Sequence, residues 1–372
     1  MSLCAHFDAG RCSSCALIET PYGDQLRHKV QLLEQQLAPF GPCRLDAPVP
    51  SEPFGFRNKA KMVAAETGNG LVLGINGVEL IDCALYDAAF QRALENIQTW
   101  LRALGIRAYD LATRKGELKY VLLTRAVVDG ALMLRFVLRS HGVIPRLKKA
   151  LPELHRALPA LACVSVNIQP VHKAVIEGDE EIILSDADHI AEVFNGITLH
   201  IRPKSFFQTN PAVAAVLYKT AAAWVDALEV ESLWDLFCGV GGFALHCADG
   251  ERKVLGVELE PEAIASARAA ADEMRLRNVT FEALDIAGFS RASQGVPQCL
   301  IVNPPRRGLG DALCAWLEAL QPEYIIYSSC NSVTLAKDLA RLQHYRLERV
   351  QLFDMFPHTE HFETLVFLHR RA

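Results

Sequence analysis

The sequence predicts an α/β protein in three parts: a doubly wound parallel sheet over residues 205–372, an α+β domain over residues 46–204, and a small cysteine-rich segment with one helix over residues 1–45. Three observations predict it. After Pro211 short apolar runs alternate with helical stretches, the rhythm of a parallel sheet with crossover helices. Between Ala47 and Ile201 strand-like runs follow one another more closely, with two helical stretches among them. Cys4, Cys12 and Cys15 lie in a stretch with too few apolar residues to build a core.

The totals set the bounds. A chain of 372 residues is long enough for two or three domains, and 51% hydrophobic with 22% charged residues is the composition of an ordinary globular protein. No apolar run approaches the roughly 20 residues needed to span a bilayer, and the N-terminus lacks the features of a signal peptide. The expectation is a cytoplasmic protein with no membrane partner, in which a cysteine cluster reads as metal-binding or catalytic rather than disulfide-forming. A formal charge of −5 excludes a protein that coats nucleic acid by general basicity. Local clusters at Arg57/Lys59/Lys61, Arg114/Lys115/Lys119 and Arg146/Lys148/Lys149 could neutralise phosphates, although each alone reads first as a solvated face.

In chain order, the Cys12-x-x-Cys15 pair chelates one metal centre readily, and Cys4 joins through a loop. A fourth ligand is needed. Cys83 is the candidate, at the end of the apolar, strand-like run Leu80-Ile81 and just ahead of a helix. Zinc and an iron–sulfur cluster both suit four thiolates. Leu26, Val30, Leu33 and Leu37 at helical spacing predict a helix over 22–37, stopped by Pro39, Gly41 and Pro42. Strands are expected over 59–65, 71–75, 120–126, 132–138, 164–168 and 181–184, and helices over 86–104 and 145–158. Residues 118–138 read as a hairpin turning at Asp129-Gly130.

The last part opens with an alanine-rich helix over 211–227, followed by buried strands over 233–237, 254–257, 279–283, 299–302 and 324–327. Two strands without an intervening helix, 346–353 and 363–368, close the chain. An antiparallel finish to a parallel sheet is typical of the Rossmann-like fold that binds S-adenosylmethionine. In such sheets ligands bind outside the carboxyl ends of the strands. Three stretches fall there. Asp235-Leu236-Phe237-Cys238-Gly239-Val240-Gly241-Gly242-Phe243 is a glycine-rich turn that lets backbone approach a ligand, and Glu258 ends the next strand, where a carboxylate can accept bonds from ribose hydroxyls. Asn303-Pro304-Pro305-Arg306 is a turn stiffened by two prolines. Ser328-Ser329-Cys330-Asn331 holds a thiol at the sheet edge, either a nucleophile or an inert core cysteine.

Together with Phe206-Phe207-Gln208-Thr209-Asn210 and His361-Phe362-Glu363-Thr364, these stretches resemble the RNA uracil-C5 methyltransferase family, over nearly the whole chain and in the family's order. Within it they are similar to the RlmC branch, which modifies 23S ribosomal RNA at uracil-747. The resemblance implies an S-adenosylmethionine-dependent enzyme with Cys330 as nucleophile and Glu363 as base. It implies Gln208, Phe237, Glu258 and Asn303 as cofactor-contacting positions. It also implies a 4Fe-4S cluster on Cys4, Cys12, Cys15 and Cys83, and ribosomal RNA, free or partly assembled, as the partner, with no obligate protein partner. Asn303 stands where many members have Asp, and with the cysteine cluster starting at Cys4 the expectation is a member without the small RNA-binding barrel that begins many others.

Carbon 5 of uracil is too weak a nucleophile to take a methyl group unaided, which is why the chemistry needs a thiolate at carbon 6 and then a base for the carbon-5 proton. On spacing alone Glu360 competes with Glu363 for the second role. The target nucleotide must leave its stack to reach the thiol. Other readings make different demands. A radical methylase would use C-x3-C-x2-C, which Cys4, Cys12 and Cys15 do not match. A transfer-RNA uracil-C5 methyltransferase of the same family, and an iron–sulfur RNA-binding or redox-sensing protein, are the alternatives.

Overall fold

The computed structural model describes residues 4–173, 175–292 and 295–371. Packing divides the chain into two compact units, one of Met1–Cys15 with Phe54–Glu192 and one of Ala16–Pro53 with Val193–Ala372. These units cut the chain differently from the expected boundaries at 45 and 204. The reason is burial: the helix Tyr22–Leu37 places Leu33 and Leu37 in a core shared with Leu335, Leu339, Leu347 and Leu368 near the chain's end.

The first unit is built on a seven-stranded sheet ordered Val78–Glu79, Gly70–Ile75, Lys59–Thr67, Leu118–Arg125, Leu132–Leu138, Leu161–Ile168, Glu180–Ile183. The expected hairpin is present, antiparallel from Leu118↔Leu138 to Arg125↔Leu132. Helices Ala88–Ala103 and Ile144–Ala157 bury Phe90, Leu94, Ile97, Leu101 and Leu147 against Leu73, Leu123, Leu134 and Val164. The run ahead of Cys83 is not a strand. The two-residue strand Val78–Glu79 ends before it, and the chain turns so that Cys83 N donates to Leu80 O at 3.3 Å.

The second unit holds an eight-stranded sheet ordered Arg44–Leu45, Tyr345–Phe353, Glu363–Arg370, Tyr324–Ser329, Cys299–Val302, Ser232–Leu236, Lys253–Glu258, Val279–Ala283. Its strands run parallel except Glu363–Arg370, which is antiparallel to both neighbours. The middles of the interior strands are apolar: Leu300, Val302, Ile325, Tyr327 and Val366 have no solvent exposure, as expected of strands covered on both faces. From Ser232–Leu236 the chain builds outward to Val279–Ala283 and then returns to the other side at Cys299–Val302. The strand order therefore reverses between those two strands, and a ligand crevice belongs outside their carboxyl ends. Two short strands not expected from the sequence, Ile190–Phe194 and Ile197–Ile201, flank Asn195 and Gly196, both left-handed at φ 52° and 85°. Asn-Gly is a strong hairpin signal and was legible there. Among the described residues no helix is long and apolar enough to cross a membrane.

Candidate active site

The strand Tyr324–Ser329 ends one residue before Cys330, and the next residue begins a helix. Asn331 caps that helix, Ser332–Leu339, its Oδ1 accepting from the backbone N–H of Val333 at 3.1 Å and of Thr334 at 3.4 Å. The amide of Asn331 donates to the carbonyl of Arg306 at 3.1 Å, and Thr334 Oγ1 donates to the same carbonyl at 3.2 Å. Cys330 is thus held on a short turn clamped to the Asn-Pro-Pro-Arg turn of the neighbouring strand. The thiol is half-buried. Burial, and then the carboxyl of Glu363, push its pKa up, while Arg306 pulls it down.

Glu363 opens the antiparallel strand that pairs with the cysteine strand, Ser329 lying opposite Thr364. Glu363 is 2% exposed, and Ser328 Oγ donates to its Oε1 at 2.6 Å. Burial lifts its pKa to about 7, against the lowering effect of the Ser328 hydrogen bond. Glu360, the competitor on spacing, is exposed. The sequence reading missed Ser328 as a partner of Glu363. Strand alternation could have found it, since residues two apart share a face and Ser328 stands two before Cys330. At the same edge, Arg306 Nη2 lies 3.1 Å from each ring nitrogen of His361.

The glycine-rich turn lies at the strand-order reversal. Phe237, Gly239 and Gly241 are left-handed at φ 64°, 55° and 86°. A Cβ on Gly242 would stand 2.6 Å from Tyr218 Cζ, so only glycine lets the loop lie against the helix Pro211–Asp226. Glu258 is fixed by three backbone donors: Gly239 N to Oε2 at 3.2 Å, and Leu259 N and Glu260 N to Oε1 at 2.7 and 3.1 Å. A carboxylate with about four acceptor positions keeps capacity for a hydroxyl. Asn303 N donates to Leu236 O at 3.3 Å, joining the two strands that flank the reversal. Asp235 is fully buried; its Oδ2 accepts from Ala244 N at 2.9 Å, Oδ1 has no protein partner, and burial lifts its pKa to about 8. Thr209 Oγ1 is likewise buried without a protein partner, beside Gln208 in the loop entering the helix Pro211–Asp226. Glycine cradle, oriented carboxylate and unpartnered polar atoms fit a polar, nucleoside-bearing cofactor.

In the first unit the thiol of Cys15 is pushed up to about 12 by burial and then by Cys83, Cys12 and Cys4. The four cysteines named from the sequence therefore share one neighbourhood. Among the described residues no three His, Cys, Asp or Glu side chains are grouped to hold a single metal ion.

The family described as tRNA (Uracil-5-)-methyltransferase matches residues 167–371. The chain is 51% identical over 372 residues, 99% of each protein, to the 23S rRNA (uracil(747)-C(5))-methyltransferase RlmC of Cronobacter sakazakii. It is 52% identical over 376 residues, covering 99% of this chain and 98% of the relative, to the RlmC of Shewanella amazonensis. Among solved structures, the Pyrococcus abyssi tRNA (uracil-54, C5)-methyltransferase in complex with S-adenosyl-L-homocysteine superposes with a TM-score of 0.79 at 26% identity, covering 95% of this chain and 85% of that one. The second unit thus has the α/β fold of S-adenosylmethionine-dependent methyltransferases, and the chain belongs to the RNA uracil-C5 methyltransferase family.

Proposed function

We propose that this protein transfers a methyl group from S-adenosylmethionine to carbon 5 of uracil-747 in 23S ribosomal RNA. The observation that carries the reading is identity of about half the residues, end to end, with relatives named for that reaction. The meeting of Cys330, Ser328 and Glu363 at one sheet edge supports the chemistry.

The Cys330 thiolate adds to carbon 6 of the flipped-out uracil, and the electron pair displaced from the 5,6 double bond makes carbon 5 enolate-like. Bound S-adenosylmethionine supplies the electrophilic methyl that carbon 5 takes up. Glu363 accepts the carbon-5 proton; the C–H pair re-forms the double bond, the bond from carbon 6 to sulfur breaks, and Cys330 leaves as thiolate. A carboxyl held near pH 7 by burial is a stronger base than an exposed one, and Ser328 steers one of its oxygens. Glu258 accepts from the ribose. Phe237 and Asn303 follow the two strands that flank the strand-order reversal, and Gln208, in the loop before the helix Pro211–Asp226, is the further cofactor contact that the family resemblance implies.

Cys4, Cys12, Cys15 and Cys83 would hold a 4Fe-4S cluster. Four thiols near enough to raise the Cys15 pKa suit a polythiolate centre, and the family resemblance is what favours a 4Fe-4S cluster over zinc. No step of the methyl transfer passes through it, and its role is structural or in placing RNA. Cys15→Ala is expected to strip iron and acid-labile sulfide from protein purified without oxygen. Stoichiometric zinc in the unaltered protein would sink the cluster assignment.

The decisive experiment is mass-spectrometric mapping of methylated uridine in RNA from cells with and without the protein. Loss of the mark at uracil-747 of 23S RNA is the expected result. Persistence there with loss of a transfer-RNA mark would move the substrate to transfer RNA.

A further inference from the structure

Lys29 and Asp354 form an ion pair, Nζ to Oδ1 at 2.6 Å, with both side chains wholly removed from solvent. Burial of two charges is costly, and apolar residues of similar volume often serve stability as well or better. What this pair holds in place is therefore informative. Asp354 is the residue after Phe353, and Phe353 is the register partner of Glu363. Lys29 Nζ also donates to Phe356 O at 3.0 Å. Tyr22 Oη donates to Asp354 Oδ2 at 2.9 Å and accepts from Ser51 N at 2.7 Å.

A second clamp lies farther along the same segment. His358 sits at φ 65°, a left-handed conformation that few residues other than glycine adopt. Gln25 Oε1 accepts from its backbone N–H at 2.8 Å, and its ring Nε2 stands 2.9 Å from Pro53 O. With Nε2 donating to that carbonyl, Nδ1 is the acceptor for the Gln25 amide at 3.1 Å, a neutral imidazole used on both sides. Strained backbone persists where its surroundings over-determine it, and such places concentrate at functional sites. Tyr22, Gln25 and Lys29 lie three and four residues apart on one helix face, and Gln25 and Lys29 are fully buried.

We propose that Gln25 and Lys29 are positioning residues for the methyl-transfer reaction: they lock the segment from Asp354 to Phe362 so that Glu363 reaches the adduct on Cys330. The inference rests on the reading of Glu363 as proton acceptor. Loosening the lock impairs release of the methylated product, which needs Glu363, and spares addition of the thiolate, which does not.

The test uses the full chain, a 23S RNA fragment containing uracil-747 and S-adenosylmethionine in single turnover, following the covalent protein–RNA band on denaturing gels. The double variant Lys29→Met/Asp354→Leu replaces the pair by apolar groups. Because the Tyr22 hydroxyl and the Phe356 carbonyl lose these partners, it is expected to melt somewhat lower than the unaltered protein, yet to fold and to form the band at a similar rate. Release is expected to slow by about tenfold to a hundredfold, the scale of a small misplacement of a catalytic group, so the band accumulates. Tyr22→Phe, which removes a single donor to Asp354, is expected to act in the same direction to a smaller extent and decides the matter if the double variant does not fold. Release at the original rate in a folded variant, or equal slowing of band formation and release, overturns the positioning role. Absence of any band with the unaltered protein would instead overturn the proposed chemistry, and this inference with it.

Discussion

Replacing Cys330 by alanine is expected to abolish uridine methylation, by on the order of 10⁴-fold or more, the scale on which removal of a covalent nucleophile acts. Without the thiolate, carbon 5 of uracil never becomes nucleophilic, so no remaining group rescues the reaction. Binding of S-adenosylmethionine should survive. Glu258 is fixed by backbone donors of its own strand end and of the glycine turn, and Asp235 by Ala244 N, none of them touching Cys330. The fold should survive as well, because the side chain is half-buried and the turn is held by Asn331 and Thr334. Isothermal titration with S-adenosylmethionine alongside a methyl-incorporation assay separates these outcomes. Appreciable methylation by a folded Cys330→Ala protein would remove Cys330 from the mechanism.

Glu363→Gln is expected to do the opposite to the adduct: addition and methyl transfer proceed, proton removal fails, and the RNA stays bound through Cys330 as a slow-migrating band. The same substitution has a signature in stability. The folded-state pKa of Glu363 is raised to about 7, above the ordinary 4.5, because burial disfavours the charged carboxylate. The protonated form therefore favours folding: its contribution is fully present below about pH 4.5 and is lost as pH rises through about 7. Glutamine carries no such charge. At pH 8 the variant should be more stable than the unaltered protein, by up to about 3 kcal/mol, and the advantage should vanish near pH 4.5. Thermal melts across that range read it directly. In the unaltered enzyme the release rate should climb as pH passes about 7 and the base ionises; a flat release profile from pH 6 to 8 would argue for another proton acceptor.

A base that costs stability in its working form, held in place by a buried ion pair whose desolvation is itself costly, is a consistent arrangement. Function is kept at the expense of packing, as is common where activity needs a strained or charged interior.

Some of this was legible in the linear sequence, and the reason is locality. Strand–helix alternation after Pro211, the left-handed demands of Gly239 and Gly241, the cap at Asn331 and the stiff Pro304-Pro305 turn are properties of neighbouring residues. Because parallel strands put their carboxyl ends at one edge, the strand ends at Asp235, Asn303 and Cys330 had to gather there once the sheet was recognised. The sequence alone therefore determined the order of the parallel strands and helices after Pro211 and the place of Cys330 at the edge of their sheet. Only the tertiary structure showed how differently the two candidate carboxylates are placed. Glu360 and Glu363 are indistinguishable by composition, and burial beside Ser328 on the reversed strand separates them. It also assigned the helix Tyr22–Leu37 to the catalytic unit, where Lys29 meets Asp354, because a contact between residues so far apart in the chain depends on packing and not on any local pattern.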